Sequence, residues 1–275
     1  MRTWLIILLL SVSAHAEKRL VLFEANGRVS PTYKLDLENI QPNDTIVFGD
    51  REFQVKEILN DGSSVQKGSQ NFIVDVGGGK AIRFPLDPRR NGLTSIDRYL
   101  EGYLALESSS IELPRVYVEE SVPGQFAVME KLDVAYSLTD VLSKKVVLDP
   151  VTKAQRFHEL VKFSKAFADF KSIGDFAFNQ IVWVNGRGWM LLDFQGKDTV
   201  PATSGEWKHP FDKFDLLYSL EPMDDIPLLP KTVRKAIGQA IAAERKKPQR
   251  KPCFAGASIL APSPQVAPSN VQLTN

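Results

Sequence analysis

The spacing of apolar residues changes half-way along this 275-residue chain, and that change limits the folds open to it. In the first half, apolar and polar residues alternate in short runs between glycine-rich turns, as in strands. In the second half, apolar residues recur three and four positions apart, as in amphipathic helices. We therefore predict an α+β fold with a β-rich part to about Val118 and a helical part from about Leu138, meeting at a cleft near Glu130.

Individual segments give the predicted elements. The predicted strands are FQVKEIL from Phe53, NFIVDV from Asn71, KAIRF from Lys80, ELPRVYVEE from Glu112 and FAVME from Phe126. RLVLFEANGRVSPTYKL is predicted to form a hairpin around Asn26-Gly27, and the Gly77–Gly79 triplet a hairpin turn. The predicted helices are Thr94–Leu106, Leu138–Leu142, Pro150–Phe170 and Pro230–Lys246.

The N-terminus has the pattern of a secretory signal peptide. Arg2 supplies a positive start, Trp4–Val12 is a short apolar run, and Ala14-His15-Ala16 is a small-x-small cleavage site. The apolar run is shorter than the ~20 residues of a membrane span. We expect export to a periplasm or the extracellular space, a mature start at Glu17, and no stable membrane insertion after cleavage.

The net charge, the cysteine count and the C-terminal composition each limit what this chain can bind or form. A net charge of +1 gives no electrostatic case for nucleic-acid binding. Cys253 is the only cysteine, so no intramolecular disulfide forms. The chain beyond Pro248 is rich in Pro, Ala, Ser and Gln, which predicts a disordered tail.

Two aspartates flank a hairpin pattern in IGDFAFNQIVWVNGRGWMLLDFQG, residues 173–196. Asp175 lies in a polar turn, and Asp193 follows the apolar run WMLL. A phosphoryl-transfer site uses one carboxylate to receive the proton of the attacking hydroxyl and another to hold Mg²⁺ against the nucleotide phosphates. The alternative is a pair of surface aspartates beside an ordinary hairpin.

This segment resembles the catalytic loop and metal-binding motif of the protein-kinase-like superfamily, nearest to the aminoglycoside-phosphotransferase-like and atypical small-molecule kinases. The family's signature also contains a lysine on a strand, a glutamate on the following helix and then a hinge strand. The candidates in this chain are Arg83 in KAIRF, Glu101 and Phe126–Glu130, in that order. The resemblance implies a bilobal kinase-like fold, with a β-rich N-lobe and a mainly helical C-lobe.

The resemblance also implies roles. Asp175 would position and deprotonate an acceptor hydroxyl, while Asp193 would bind Mg²⁺ with help from Gln180 or Asn179. Arg83, held by Glu101, would contact the phosphates of ATP. The further nucleotide contacts are Gly62 of the covering loop and the backbone from Glu130 to Leu132, which would receive the adenine.

Some positions depart from the family. Arginine replaces its lysine at position 83, Ile173 stands for its histidine, and Gln180 for its asparagine. Arginine holds phosphate with a planar fork unlike an ammonium. Two kinase-like functions therefore stay open: an exported ATP- and Mg-dependent phosphotransferase acting on a hydroxyl-bearing substrate, or a catalytically inactive pseudokinase that serves as an extracytoplasmic binding or scaffolding module. An unrelated α+β secreted protein is the third possibility.

The predicted organisation follows from these assignments. It comprises a signal peptide (1–16), a β-hairpin extension (17–50), a kinase-like N-lobe (51–132), a kinase-like C-lobe (133–247) and the disordered tail (248–275).

Overall fold

The computed structural model describes residues 17–60, 71–86, 88, 95–202, 209–212 and 228–247. The predicted signal peptide and tail lie outside the described residues. The main helices and strands are β1 (Arg19–Val21), α1 (Tyr33–Asn39), β2 (Thr45–Phe48), β3 (Arg51–Gln54), β4 (Glu57–Asn60), β5 (Asn71–Gly77), β6 (Lys80–Pro85), α2 (Ser95–Leu106), β7 (Ala127–Glu130), β8 (Val134–Ser137), α3 (Leu138–Leu142), α4 (Pro150–Ser164), β9 (Phe170–Gly174), β10 (Ile181–Val184), β11 (Gly188–Leu191), β12 (Gln195–Pro201) and α5 (Lys231–Arg245). The predicted α+β class, sheet-rich first and helical later, is confirmed.

The first sheet differs from the predicted hairpin. Its order is β1-β2-β3, with β1 parallel to β2 and β2 antiparallel to β3. The turn at Gly27 forms, but it brings only one bridge pair, Phe23 with Val29. The segment after it is helix α1, because Tyr33 and Leu37 are buried one helical turn apart while Leu35 between them is 60% exposed.

The second sheet is antiparallel in the order β4-β5-β6-β7, and β6 is one of its inner strands. The Gly77–Gly79 triplet joins β5 to β6 with all three residues at positive φ, which glycine adopts without a Cβ penalty. Side chains of β6 alternate between two hydrophobic cores. Ile82 and Phe84 pack toward the first sheet, while Ala81 packs toward α2 and the later part of the chain. Arg83 therefore shares the α2-facing side, as the strand period predicts.

The core between the two sheets is aromatic. Phe48 of β2 lies 4.1 Å from Phe126 and 5.6 Å from Phe84, measured between ring centroids. The same buried cluster takes in Leu22, Tyr33 and Leu37 from the first fifty residues. The two sheets thus share a single core.

Helix α2 packs very closely against the segment that follows Asp193. A Cβ added at Gly102 would lie 2.9 Å from the Phe194 ring and its carbonyl oxygen. A Cβ added at Gly196 would lie 2.7 Å from Cβ of Glu101. Neither position has room for a side chain, so two glycines set the distance between α2 and the 194–196 segment.

The later part combines helices with two small sheets. These sheets are β11-β10-β8 and β12-β9. Helix α3 begins with a capping box between Ser137 and Asp140. In α4, the Asp149 carboxylate accepts hydrogen bonds from the N–H groups of Val151 and Thr152. Within the described ranges, no helix has both the length and the apolar character needed to cross a bilayer.

Two predicted elements differ here. Helix α4 ends at Ser164, and a 3₁₀ turn (Lys165–Asp169) and β9 follow, where continuous helix was predicted to Phe170. Phe167 and Phe170 continue the apolar pattern because both are buried in the turn and strand. Residues 112–120 form no regular strand, since only Val116 bridges to Met129 before a 3₁₀ turn begins.

Candidate functional site

The site is centred on a contact between β6 and the segment after β11. Nη2 of Arg83 donates to both carboxylate oxygens of Asp193, at 3.1 Å each. The Arg83 side chain is 7% exposed and the Asp193 side chain 26% exposed. A nearly buried guanidinium therefore meets a carboxylate that still reaches solvent.

Two further groups fix the position of Arg83. Its guanidinium carbon lies 4.3 Å from the centroid of the Tyr99 ring on α2. We orient the Asn71 amide with its oxygen toward Arg83, which then accepts from Nη2 at 2.6 Å while the amide nitrogen donates to Ser95. Burial works against the charge of Arg83, but Asp193, Tyr99 and Asp175 together outweigh it and hold the pKa of Arg83 above its usual value.

Asp193 is placed by the residue that follows it. The Phe194 ring is fully buried and stacks on Tyr99, with centroids 5.0 Å apart and planes 14° apart. The Phe194 N–H also donates to Asp193 Oδ1 at 3.1 Å. The stack on α2 therefore orients the carboxylate toward Arg83.

Asp175 follows β9 and is exposed. Its φ of +59° is uncommon for a non-glycine residue, although aspartate tolerates it better than most. Gln195 Nε2 donates to its Oδ2 at 3.3 Å. Asp175 also acts electrostatically on Arg83, raising the arginine's pKa together with Asp193. Arg83 thus interacts with both acids, by hydrogen bonds with Asp193 and electrostatically with Asp175.

Two of the three side chains predicted to hold magnesium, those of Asp193 and Gln180, are engaged in other contacts. Gln180 Oε1 accepts from the Ala177 N–H at 3.0 Å, within the 3₁₀ turn Phe178–Gln180. Asn179 is exposed. Both oxygens of Asp193 contact Arg83.

The described residues form no ready-made metal site elsewhere either. No three or more His, Cys, Asp and Glu side chains gather among them in a way that could hold a metal ion. Mg²⁺ needs octahedral oxygen coordination, of which a protein usually supplies one or two carboxylates and water or substrate phosphates supply the rest. Here the Asp193 carboxylate already faces the Arg83 guanidinium and the Gln180 oxygen is bound to Ala177, so these residues do not fit Mg²⁺ and we assign no step to a metal. The magnesium and ATP assignments stay predictions.

Glu101 does not hold Arg83 as the sequence suggested. Within the described part of the chain, the ion pair of Arg83 is with Asp193. Tyr99 is the residue of α2 that faces Arg83. Glu101 lies two positions further along, which is a rotation of about 200° around the helix. Glu101 consequently lies against Gly196.

The remaining residues predicted to contact the nucleotide either have other partners or lie outside the described residues. The Glu130 carboxylate accepts two hydrogen bonds from Arg187, at 2.7 and 2.8 Å. Its N–H donates to the Arg115 carbonyl at 2.8 Å. Leu132 packs against a small apolar cluster of Val182, Val184 and Met190. Gly62 lies outside the described residues.

Sequence reasoning missed Tyr99 and Asn71. Tyr99 falls at helical spacing among the apolar residues of α2, which indicates core and nothing more. Asn71 begins a strand, and nothing in its neighbours distinguishes it. Only the pairing of Ile73 with Arg83 in adjacent strands brings Asn71 close to the guanidinium.

No family model matches the chain, and a search of curated proteins finds no match. Among solved structures, the chain is similar to the GDP and kanamycin complex of APH(2″)-IIia, with 12% identity, a TM-score of 0.41, and coverage of 72% of this chain and 79% of that one. It is also similar to the Mycobacterium tuberculosis PknI kinase domain, with 14% identity, a TM-score of 0.38, and coverage of 74% and 99%. Likeness at these scores transfers no residue role, so the roles of Arg83, Asp175 and Asp193 are assigned from contacts within this chain.

Proposed function

We propose that this chain is an exported kinase-like phosphotransferase that uses ATP to phosphorylate a hydroxyl-bearing small molecule. The observation that carries the proposal is the contact of Arg83 with Asp193, which joins strand β6 to the segment between β11 and β12, 110 positions apart. Asp175 acts on the same guanidinium. A phosphate-binding cation and two acids in this chain order are what the kinase signature requires.

The roles follow from exposure and charge. Asp175 is exposed, so an acceptor hydroxyl can reach its carboxylate. The hydroxyl proton passes to Asp175, and the acceptor oxygen bonds to the γ-phosphorus of ATP. The bond from that phosphorus to the bridging oxygen breaks, and ADP leaves with the electron pair. Arg83 supplies positive charge beside the transferring group, where charge must be stabilised.

The test compares binding with transfer. ATP at about 100 times its dissociation constant should stabilise the folded protein by roughly 2.7 kcal/mol. Asp175→Asn should keep this stabilisation and lose transfer to offered hydroxyl acceptors, because asparagine tolerates the positive φ but takes no proton. The exposed Asp198→Asn on β12 is the matched control and should keep both. Equal transfer by Asp175→Asn and wild type would refute the assigned base.

The pseudokinase is the second candidate, and one observation favours it: Asp193 is already occupied by Arg83. A binding module would bind ATP, or a partner at this face, without releasing phosphate. Stabilisation by ATP with no transfer to any acceptor and no phosphate release would favour this function. Absence of ATP binding would refute the phosphotransferase and leave only a module that binds a partner at this face.

A further inference from the structure

The positive group in contact with the Asp193 carboxylate is a side chain of the protein, the Arg83 guanidinium. Nη2 of Arg83 lies 3.1 Å from each carboxylate oxygen, so both oxygens share one donor. The guanidinium cannot move away freely, because Asn71, the Tyr99 ring and the surrounding core enclose it. The arginine of this pair is therefore held within the folded core.

We propose that Arg83 takes the place of a divalent cation at Asp193, so that the positive charge of this site is built into the chain and ligand binding does not require a metal. Arginine suits such a role because it stays charged and presents several donors in a fixed plane. The second acid that acts on this guanidinium is Asp175. One arginine thus offsets the charge of the two acids in part.

The neighbouring side chains support this assignment. Gln180, the predicted second ligand, uses its side-chain oxygen to hold Ala177, so a divalent ion at Asp193 would take its remaining ligands from water. A cation placed on the two Asp193 oxygens would also meet a guanidinium of like charge at hydrogen-bond distance. The site accommodates one cation at this carboxylate, and Arg83 is that cation.

Direct cation binding is the first test, and it does not depend on the proposed function. Mn²⁺ is titrated into the full chain and followed by water-proton relaxation. Wild type should show no binding at millimolar Mn²⁺. Arg83→Met should bind Mn²⁺ at least roughly tenfold more tightly, because it leaves the Asp193 carboxylate without its partner charge. The double variant Arg83→Met/Asp193→Asn should lose the gain.

Several outcomes would overturn the proposal. Equal Mn²⁺ affinity of wild type and Arg83→Met would show that Arg83 does not compete at Asp193. Failure of Arg83→Met to bind Mn²⁺ would show that Asp193 is not a latent cation ligand. Arg83→Gln, which keeps a donor for Asn71, replaces Arg83→Met if circular dichroism shows that the methionine variant does not fold. Wild-type binding below millimolar Mn²⁺ refutes the proposal without any variant.

A second arm uses ATP and rests on the proposed function. Stabilisation by ATP should be the same in excess EDTA as in millimolar Mg²⁺. Stabilisation only with Mg²⁺ would overturn the built-in cation. If ATP does not bind under either condition, the proposed function fails, and the Mn²⁺ titration still decides the inference.

Discussion

Substitution by alanine should have opposite effects on stability at two helical glycines, because only one of them lies where α2 packs against the 194–196 segment. Gly102 lies in α2 against Phe194, whereas Gly238 lies in α5 with nothing within 4 Å of an added Cβ. Alanine is about 1 kcal/mol better than glycine inside a helix, so Gly238→Ala should stabilise by up to that amount.

At Gly102 a steric term opposes this gain. The new methyl would lie 2.9 Å from the Phe194 carbonyl oxygen, a backbone atom that cannot rotate away, and ordinary contact begins at 3.4 Å. Overpacking of this kind costs about 1–3 kcal/mol. The net effect of Gly102→Ala is then a destabilisation of between about 0 and 2 kcal/mol after the helix gain of about 1 kcal/mol is subtracted.

Thermal unfolding of the two variants measures the difference. Each kcal/mol shifts the melting temperature by about 2–4 °C for a chain near this size. Gly102→Ala should therefore melt several degrees below Gly238→Ala, and it should weaken ATP binding because displacement of α2 separates Tyr99 from Arg83. An equal rise in melting temperature for both variants would refute the close crossing.

Three further predictions concern other parts of the chain. Asp75 accepts from Lys131 at 2.5 Å and from the Gly77 N–H, and although burial opposes ionisation, these bonds hold its pKa below its usual value. Its stabilising contribution should be complete above about pH 4 and disappear as pH falls through the lowered pKa, so the stability gap to Asp75→Asn in urea unfolding should close in acid. Asp149→Ala should destabilise by about 1 kcal/mol through loss of the α4 cap, without changing ATP affinity. N-terminal mass spectrometry of exported protein should find Glu17 first, and recovery of the Met1 start would contradict the predicted processing.

Much of the site could be predicted from sequence because its acids flank a hairpin. Strands β10 and β11 form between Asp175 and Asp193, as the hairpin pattern there predicts, and Trp183 pairs with Trp189. Strand alternation also puts Arg83 on the same face of β6 as Ala81, which packs toward α2. Period-two patterns specify a face whenever one side of a strand is buried.

The partner of Arg83 could not be predicted, because it depends on how α2 is rotated. Sequence spacing suggested Glu101, but the rotation is set by the contact of Gly102 with Phe194, between segments far apart in the chain. Helix periodicity identifies a buried face and does not say which buried residue meets a given strand. The amide of Asn71 was missed for a similar reason, since its neighbour is decided by strand register.

The shared aromatic core has a consequence for where the chain can be divided. The boundary predicted at residue 50 separates Phe48 from Phe84 and Phe126, although the three rings pack together. A shorter chain beginning at Arg51 would expose one face of the β4-β5-β6-β7 sheet, including Val74 and Ile82. Residues 17–50 therefore complete the core against the strand that carries Arg83, so the site can form only when this segment has folded onto the second sheet.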